Sequence, residues 1–126
     1  MIDLNFYPIE TARIANMKWR PVGLGVMGLQ DVFFKLRLPF DSAEALTLSS
    51  RVAEEIYFQA LSMSTELAEA EGAHPGFAES RAVNGELQFD HWPSATPHDS
   101  ERWDALRERI KQHGLRNSLL IAIAPP

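Results

Sequence analysis

Residues 119–126 read LLIAIAPP, and the apolar part of this segment does not alternate with polar residues. An apolar run without alternation is typical of a central strand in a parallel sheet, because helices cover both of its faces. We therefore expect a strand over 118–124 and an α/β fold. Ligands of open α/β sheets and barrels bind just beyond the carboxyl ends of such strands. The sequence stops there, so we expect scaffold leading to a site and not the site itself.

Composition restricts the classes of function. The 126 residues are 45% hydrophobic and 23% charged, as in an ordinary globular chain of at most one domain. No run of about 18 apolar residues exists and no signal peptide is recognisable, which predicts no membrane segment and a cytoplasmic protein. The net charge of −5 offers no basic face for nucleic acid. The absence of cysteine excludes disulfides and thiol chemistry by this chain alone.

Helices account for the middle of the sequence. Residues 20–28 (RPVGLGVMG) predict a first strand, and 30–38 predict a short helix that stops at Pro39. A long helix is predicted over 41–71, with Asp41 and Glu44 as a capping box and Gly72 as its stop. Its apolar stripe recurs at three and four residues and comprises Ala45, Leu48, Val52, Ile56, Ala60, Met63 and Leu67.

A last helix is predicted over 99–113, with Asp99 as its cap, Gly114 after its end and an apolar face of Trp103, Leu106 and Ile110. The order strand, helices, strand predicts one crossover unit of a parallel sheet, so that 1–126 is a single partial domain. The long helix would measure roughly 45 Å. A compact domain of this size is only about 35 Å across. We therefore expect this helix to protrude or to lie against further protein, and both chain ends to be cut points.

Three glycines match the spacing of a dinucleotide-binding loop, Gly23, Gly25 and Gly28. In that motif a strand precedes the glycines and a helix follows, and an acidic residue arrives on a second strand about 20 residues later. Here the apolar stretch before Gly23 is short and no such second strand follows. We favour the interpretation that the glycines allow close packing or a bend of a strand, with nucleotide binding as the alternative.

Charged residues give no clear catalytic pattern. Five glutamates of the long helix are interpreted as a solvated face, namely Glu54, Glu55, Glu66, Glu69 and Glu71. Four histidines lack the helical spacing of a zinc pair, so no metal site is predicted, and they are His74, His91, His98 and His113. Arg116 and Asn117 precede the last strand and are expected to hold the turn into it, with direct ligand contact as the alternative.

Several segments together resemble the large subunit of aerobic ribonucleotide reductase. They are RPVGLGVMGLQD (20–31), PFDSAEA (39–45), EEIY (54–57), GELQFDHW (85–92) and GLRNSLLIA (114–122). The resemblance covers essentially the whole chain in order. It implies a fragment of a ten-stranded α/β barrel, from the subunit that makes deoxyribonucleotides for DNA replication by thiyl-radical reduction of ribonucleoside diphosphates.

The resemblance also implies where function does not lie. The catalytic cysteines and radical-relay tyrosines would be elsewhere in the parent, so the chain alone is expected to be inactive, with no catalytic, cofactor-binding or metal residue. Nucleotide effectors would bind elsewhere in the large subunit, and a small subunit would carry a metal or radical cofactor. Pro125 matches the proline at the edge of the family's phosphate turn and is the one candidate substrate-binding residue. Pro126 departs from the expected Thr or Ser and has no N–H to donate.

The expected partners are the remainder of the large subunit and, through it, the small subunit. A chain that folds alone is expected to form a homodimer or a domain swap, because 119–124 leaves an unpaired apolar edge. The alternative function is a truncated, non-enzymatic paralogue that binds the reductase large subunit.

Overall fold

The computed structural model describes residues 1–123, which form four α-helices and three short 3₁₀ turns. The α-helices are α1 (Glu10–Trp19), α2 (Leu29–Leu36), α3 (Ala43–Glu71) and α4 (Ser100–His113). The 3₁₀ turns lie between α3 and α4, at Phe77–Glu79, Arg81–Asn84 and Gln88–His91. Within this part of the chain no helix is long and apolar enough to cross a bilayer.

The predicted strands are not present as strands among residues 1–123, and the chain is mostly helical there. The segments predicted as strands, 20–28 and 118–124, instead meet at one isolated parallel bridge between Leu24 and Ile121. Residue 124 lies outside the described residues. A strand requires hydrogen-bonded neighbours along its length, and two short segments by themselves do not make a stable sheet. The prediction of neighbouring parallel segments therefore holds, whereas the prediction of regular strands does not.

The start of α3 differs by one residue from the predicted cap. Ser42 is the N-cap, and its Oγ accepts a hydrogen bond from the N–H of Ala45 at 3.1 Å. The extended backbone of Ser42 places its side chain over the free N–H groups of the first turn. The predicted cap, Asp41, lies one residue before this position. At the other end Gly72 stops the helix as predicted, with a φ of 88° and its N–H bonded to Ala68 O at 2.7 Å.

The core forms where α4 packs against the C-terminal half of α3. Its buried side chains come from α3, α4 and the loops beside them, and are Leu61, Leu87, Trp103, Leu106, Ile110 and Leu115. The predicted apolar face of α4 is thus confirmed. Asp99 caps α4 by accepting the N–H of Arg102 at 3.0 Å, and Gly114 follows its last residue.

The apolar stripe predicted on α3 is wrong in its second half. Met63 is 52% exposed and Leu67 is 39% exposed, whereas Leu61, Thr65 and Ala68 are buried. Positions 61, 65 and 68 also recur at helical spacing, so this half of α3 has two faces that could be buried. The docking of α4 selects the second face. Thr65 is accommodated there because its hydroxyl donates to Leu61 O at 2.9 Å.

Candidate functional site

Two segments lie side by side in parallel, residues 20–24 and 118–123. Their backbone hydrogen bonds join Val22 N to Leu119 O (3.0 Å), Leu24 N to Leu120 O (2.8 Å) and Ala122 N to Leu24 O (3.0 Å). Sites in α/β architectures lie beyond the carboxyl ends of parallel strands. Pro125, the predicted edge of a substrate site, follows the second segment in sequence and lies outside the described residues.

The glycines of the first segment allow this approach. A Cβ on Gly23 would lie 3.0 Å from Ala122 Cβ, so a side chain there would push the two segments apart. Gly28 has a φ of 80° and immediately precedes α2, which has only eight residues. These observations support the favoured interpretation, close packing or a bend, at Gly23 and Gly28.

Asn117 connects the two segments with α3. Its Nδ2 donates to Arg20 O at 2.9 Å, and its Oδ1 accepts from Ser64 Oγ at 3.2 Å. Its backbone N–H donates to the same Oγ at 3.1 Å. Ser64 is 1% exposed, and its carbonyl oxygen accepts the N–H of Arg116 at 3.0 Å. The C-terminal half of α3, the end of α1 and the start of the second segment thus meet around the buried Ser64.

Arg116 holds the same turn from the C-terminal end of α3. Its Nη1 donates to the carbonyl oxygens of Glu71 and Gly72 at 3.2 and 3.0 Å, and its Nη2 lies 3.1 Å from Glu71 Oε2. A cation is favourable at this end of a helix, where carbonyl groups lack intrahelical donors. The predicted role of Arg116 and Asn117 in holding the turn is confirmed.

Arg20 begins the first segment and is almost completely buried. It lies in the left-handed region with a φ of 48°, and its guanidinium donates to both carboxylate oxygens of Asp3 at 2.7 and 2.6 Å. These hydrogen bonds lower the pKa of Asp3 to about 2. The carboxylate is therefore charged at neutral pH, and the bidentate pair attaches the N-terminal residues to the start of the segment.

Glu54 corrects the interpretation of the acidic face of α3. Its side chain is only 15% exposed and accepts hydrogen bonds from Trp103 Nε1 at 2.9 Å and from the N–H of His98 at 3.0 Å. The His98 ring nitrogen Nδ1 also contacts this carboxylate. Burial raises the pKa of Glu54, but the hydrogen bonds from Trp103 and His98 outweigh it and leave the pKa below its ordinary value.

The four histidines lie in separate environments. His74 is buried beside Trp19, His91 is 3.4 Å from Glu86, His98 contacts Glu54, and His113 is 4.0 Å from Glu69. Among residues 1–123 no three histidine or carboxylate side chains converge to hold a metal ion.

Sequence reasoning missed Ser64, Asp3 and the role of Glu54. Ser64 is one of many small polar residues, and it lies 53 residues from Asn117 along the chain. Asp3 is 17 residues from Arg20. No local spacing connects such pairs, so no signal in the sequence could have identified them.

Residues 1–126 match the family described as "Ribonucleotide reductase, barrel domain". The chain is 50% identical over 125 residues to the ribonucleoside-diphosphate reductase large subunit of Caenorhabditis elegans, covering 99% of this chain and 16% of that protein. The large chain from Schizosaccharomyces pombe is also 50% identical over 125 residues, which cover 99% of this chain and 15% of that protein. A Variola virus large subunit is 48% identical, with coverages of 99% and 16%. The chain thus spans 15–16% of the length of these relatives.

Proposed function

Because the chain belongs to the ribonucleotide reductase barrel-domain family, we propose that it forms part of the ten-stranded α/β barrel in the large subunit of a ribonucleoside-diphosphate reductase. The match over residues 1–126 is the observation that carries this proposal. The parallel bridge between Leu24 and Ile121 supports it, because these segments would be two neighbouring barrel strands. Further strands on either side would supply the hydrogen-bonding neighbours that they lack here.

In this proposal the segment is scaffold for a reaction that other parts of the enzyme perform. Reduction of a ribonucleoside diphosphate through a thiyl radical requires a cysteine, and the 126 residues contain none. The remainder of the large subunit would supply the thiols and bind the nucleotide effectors. The resemblance to the reductase family implies a metal or radical cofactor. We assign that cofactor to the small subunit, and the assembly to the cytoplasm.

The second segment would lead the polypeptide toward the substrate site of the proposed enzyme. The second extended segment leads toward Pro125, which we propose as the edge of a turn that binds the substrate phosphates. Backbone N–H groups at such a turn are suited to anions. Pro126 cannot donate an N–H, so any donors would follow it.

The test is to exchange the matching segment of the Caenorhabditis elegans large subunit for residues 1–126. We expect this chimera, with its small subunit and a reductant, to convert a ribonucleoside diphosphate to its deoxy form. The purified chain alone is expected to form no product in the same assay. The unmodified large subunit is the positive control. A folded chimera without activity, or activity of the chain alone, would contradict the proposal.

A truncated paralogue that binds the large subunit is the second candidate, and Pro126 favours it. The resemblance implies Thr or Ser at this position, and loss of phosphate-binding N–H groups suits a protein that no longer catalyses. Immobilised chain is then expected to retain purified large subunit. No retention, tested against a helical protein of similar size and charge, would eliminate this candidate.

A further inference from the structure

We infer that the corner between α2 and α3 is a docking surface for a segment of the large subunit that lies outside residues 1–126 and presents a carboxylate among apolar side chains. The corner comprises residues 34–46, and Arg37 is the residue that would bind the carboxylate. The inference rests on the function proposed above, because the parent subunit supplies the docking segment.

The backbone of Arg37 adopts a conformation that suits glycine better than arginine. Its φ of 57° and ψ of 39° lie in the left-handed region, and it ends α2 with its N–H directed at Phe33 O and Phe34 O. A Cβ is unfavourable in this region, and helices commonly place glycine at such a position. An arginine held there indicates that its side chain contributes something that glycine could not.

Arg20 illustrates what an arginine in this conformation can do. Among residues 1–123, Arg20 and Arg37 are the two residues other than glycine with a positive φ, and each directly follows a helix. The Arg20 guanidinium donates to both carboxylate oxygens of Asp3, at 2.7 and 2.6 Å, and thereby attaches a distant segment.

Arg37 has the same backbone conformation but no such partner within the described chain. It is exposed, and its guanidinium forms no ion pair with a carboxylate among residues 1–123. Residues 124–126 contain no Asp or Glu. The planar fork of an arginine matches a carboxylate in both geometry and charge, so we expect an Asp or Glu of another segment to bind Arg37.

The corner also exposes apolar surface. Four of its large apolar side chains are between 56% and 76% exposed, namely Phe34, Leu36, Phe40 and Leu46. Phe40 is fixed against the buried Phe33, edge to face, with 6.4 Å between the ring centroids. The helix α4 packs against the C-terminal half of α3 and leaves this corner uncovered. Arginine together with aromatic side chains is typical of the centre of a protein interface.

The large subunit itself is the occupant that we infer. Residues 1–126 span 15–16% of the length of the relatives, so most of the proposed parent lies outside them. A segment of the same molecule has a high effective concentration at the corner, whereas a separate protein does not. Its apolar side chains would exclude water around Arg37 and so strengthen the ion pair with its carboxylate.

The first measurement compares Arg37→Gly in the chain alone and in the chimera described above. Hydrogen exchange of the N–H groups of α2 is followed by mass spectrometry. In the chain alone we expect exchange to slow about threefold, because glycine relieves the left-handed backbone. In the chimera we expect exchange to become about tenfold faster, since the ion pair is lost and a carboxylate stays covered without a partner.

Lys35→Ala is the matched control, because Lys35 is an exposed basic residue within the same helix. We expect it to change the exchange of α2 by less than about twofold in both molecules. Slower exchange of Arg37→Gly in the chimera as well as in the chain would overturn the inference. Acceleration by Lys35→Ala equal to that by Arg37→Gly would overturn it too, since any loss of charge would then have the same effect.

The second measurement identifies the occupant. The photoreactive amino acid p-benzoylphenylalanine replaces Phe40 in the chimera, and the peptides that it joins on illumination are sequenced by mass spectrometry. We expect a peptide of the large subunit from outside residues 1–126 that contains Asp or Glu. A cross-link to residues 1–126 of a second copy, a cross-link to the small subunit, or no cross-link would overturn the inference.

Activity of the chimera separates this inference from the proposed function. An active chimera without the expected cross-link would overturn the docking surface and leave the proposed function in place. A folded but inactive chimera with the expected cross-link would support the docking surface and count against the proposed function alone.

Discussion

Glu54 illustrates at the scale of one residue how a carboxylate on a helix surface becomes structural. It accepts the indole N–H of Trp103, a core residue that is 1% exposed, and the backbone N–H of His98 in the preceding loop. The loop and α4 are thereby attached to α3 by one side chain.

We predict that Glu54→Ala lowers the free energy of unfolding by about 1–3 kcal/mol, because the Trp103 N–H is left buried without an acceptor. Glu66→Ala is the matched control, since Glu66 lies on the same helix and is exposed. Its effect is expected to stay within about 0.5 kcal/mol. Urea unfolding followed by tryptophan fluorescence measures both variants. Equal effects of the two substitutions would contradict the structural role of Glu54.

His74 is a second residue whose surroundings predict a measurable property. It is 2% exposed, packs beside Trp19 and Phe77, and has its Nδ1 3.4 Å from Lys18 O. Burial lowers the pKa of His74, because the charged ring would lose its hydration. The unfolded chain therefore binds a proton at higher pH than the folded chain does.

This difference in pKa predicts that stability rises with pH in one window. The contribution of His74 to the free energy of unfolding is complete above the ordinary histidine pKa of about 6.5. It is lost progressively as the pH falls below that value. We expect the midpoint temperature of thermal unfolding to decrease when the pH is lowered from about 7.5 to about 5.5. His74→Gln is expected to flatten this dependence. Scanning calorimetry at several pH values provides the measurement. An unchanged slope in His74→Gln would show that another group is responsible.

At the scale of the elements, the start of α3 allows the observed cap, Ser42, to be compared with the predicted cap, Asp41. Ser42→Ala is expected to cost about 1 kcal/mol, because the N–H of Ala45 loses the Ser42 hydroxyl. Asp41→Ala is expected to cost only a few tenths of that, from the loss of a negative charge near the helix N-terminus. Urea unfolding of both variants compares the observed cap with the predicted one. A larger effect for Asp41→Ala would mean that the helix begins one residue earlier.

At the scale of the whole molecule, large apolar side chains remain exposed along the paired segments. Leu119 is 64% exposed, Ile123 is 62% exposed and Leu24 is 49% exposed. Contiguous apolar surface of this kind is typical of an interface. In the proposed large subunit, neighbouring helices and strands would cover it.

We predict that the chain alone self-associates through this edge, because an unpaired extended segment can add a second copy. Sedimentation velocity over a range of concentrations is expected to show a dimer. Leu119→Lys should shift it toward the monomer, since a charge on the edge opposes pairing. Val83→Lys, at an exposed apolar residue of a 3₁₀ turn, is the control. A chain that stays monomeric at high concentration and melts cooperatively would refute this prediction.

The long helices and the family could be recognised from local patterns. The limits of α4 follow from Asp99, Gly114 and the spacing of its apolar face, and the end of α3 follows from Gly72. These features depend on residues within one or two turns of each other, so neighbouring residues alone specify them. The family could be identified because its segments recur in order along the chain.

The remaining features depend on residues that are distant in sequence. Which face of α3 is buried depends on where α4 docks, and the burial of Glu54 depends on Trp103, 49 residues later. Ser64 of α3 is hydrogen-bonded to Asn117, although the two residues are 53 positions apart in the sequence. The regular strands predicted over 20–28 and 118–124 are absent from residues 1–123. Apolar runs indicate strand propensity, whereas strand formation requires hydrogen-bonded neighbours on another part of a chain. Local energies determine the helices and turns, whereas contacts between distant residues determine which helix faces are buried and which segments lie side by side.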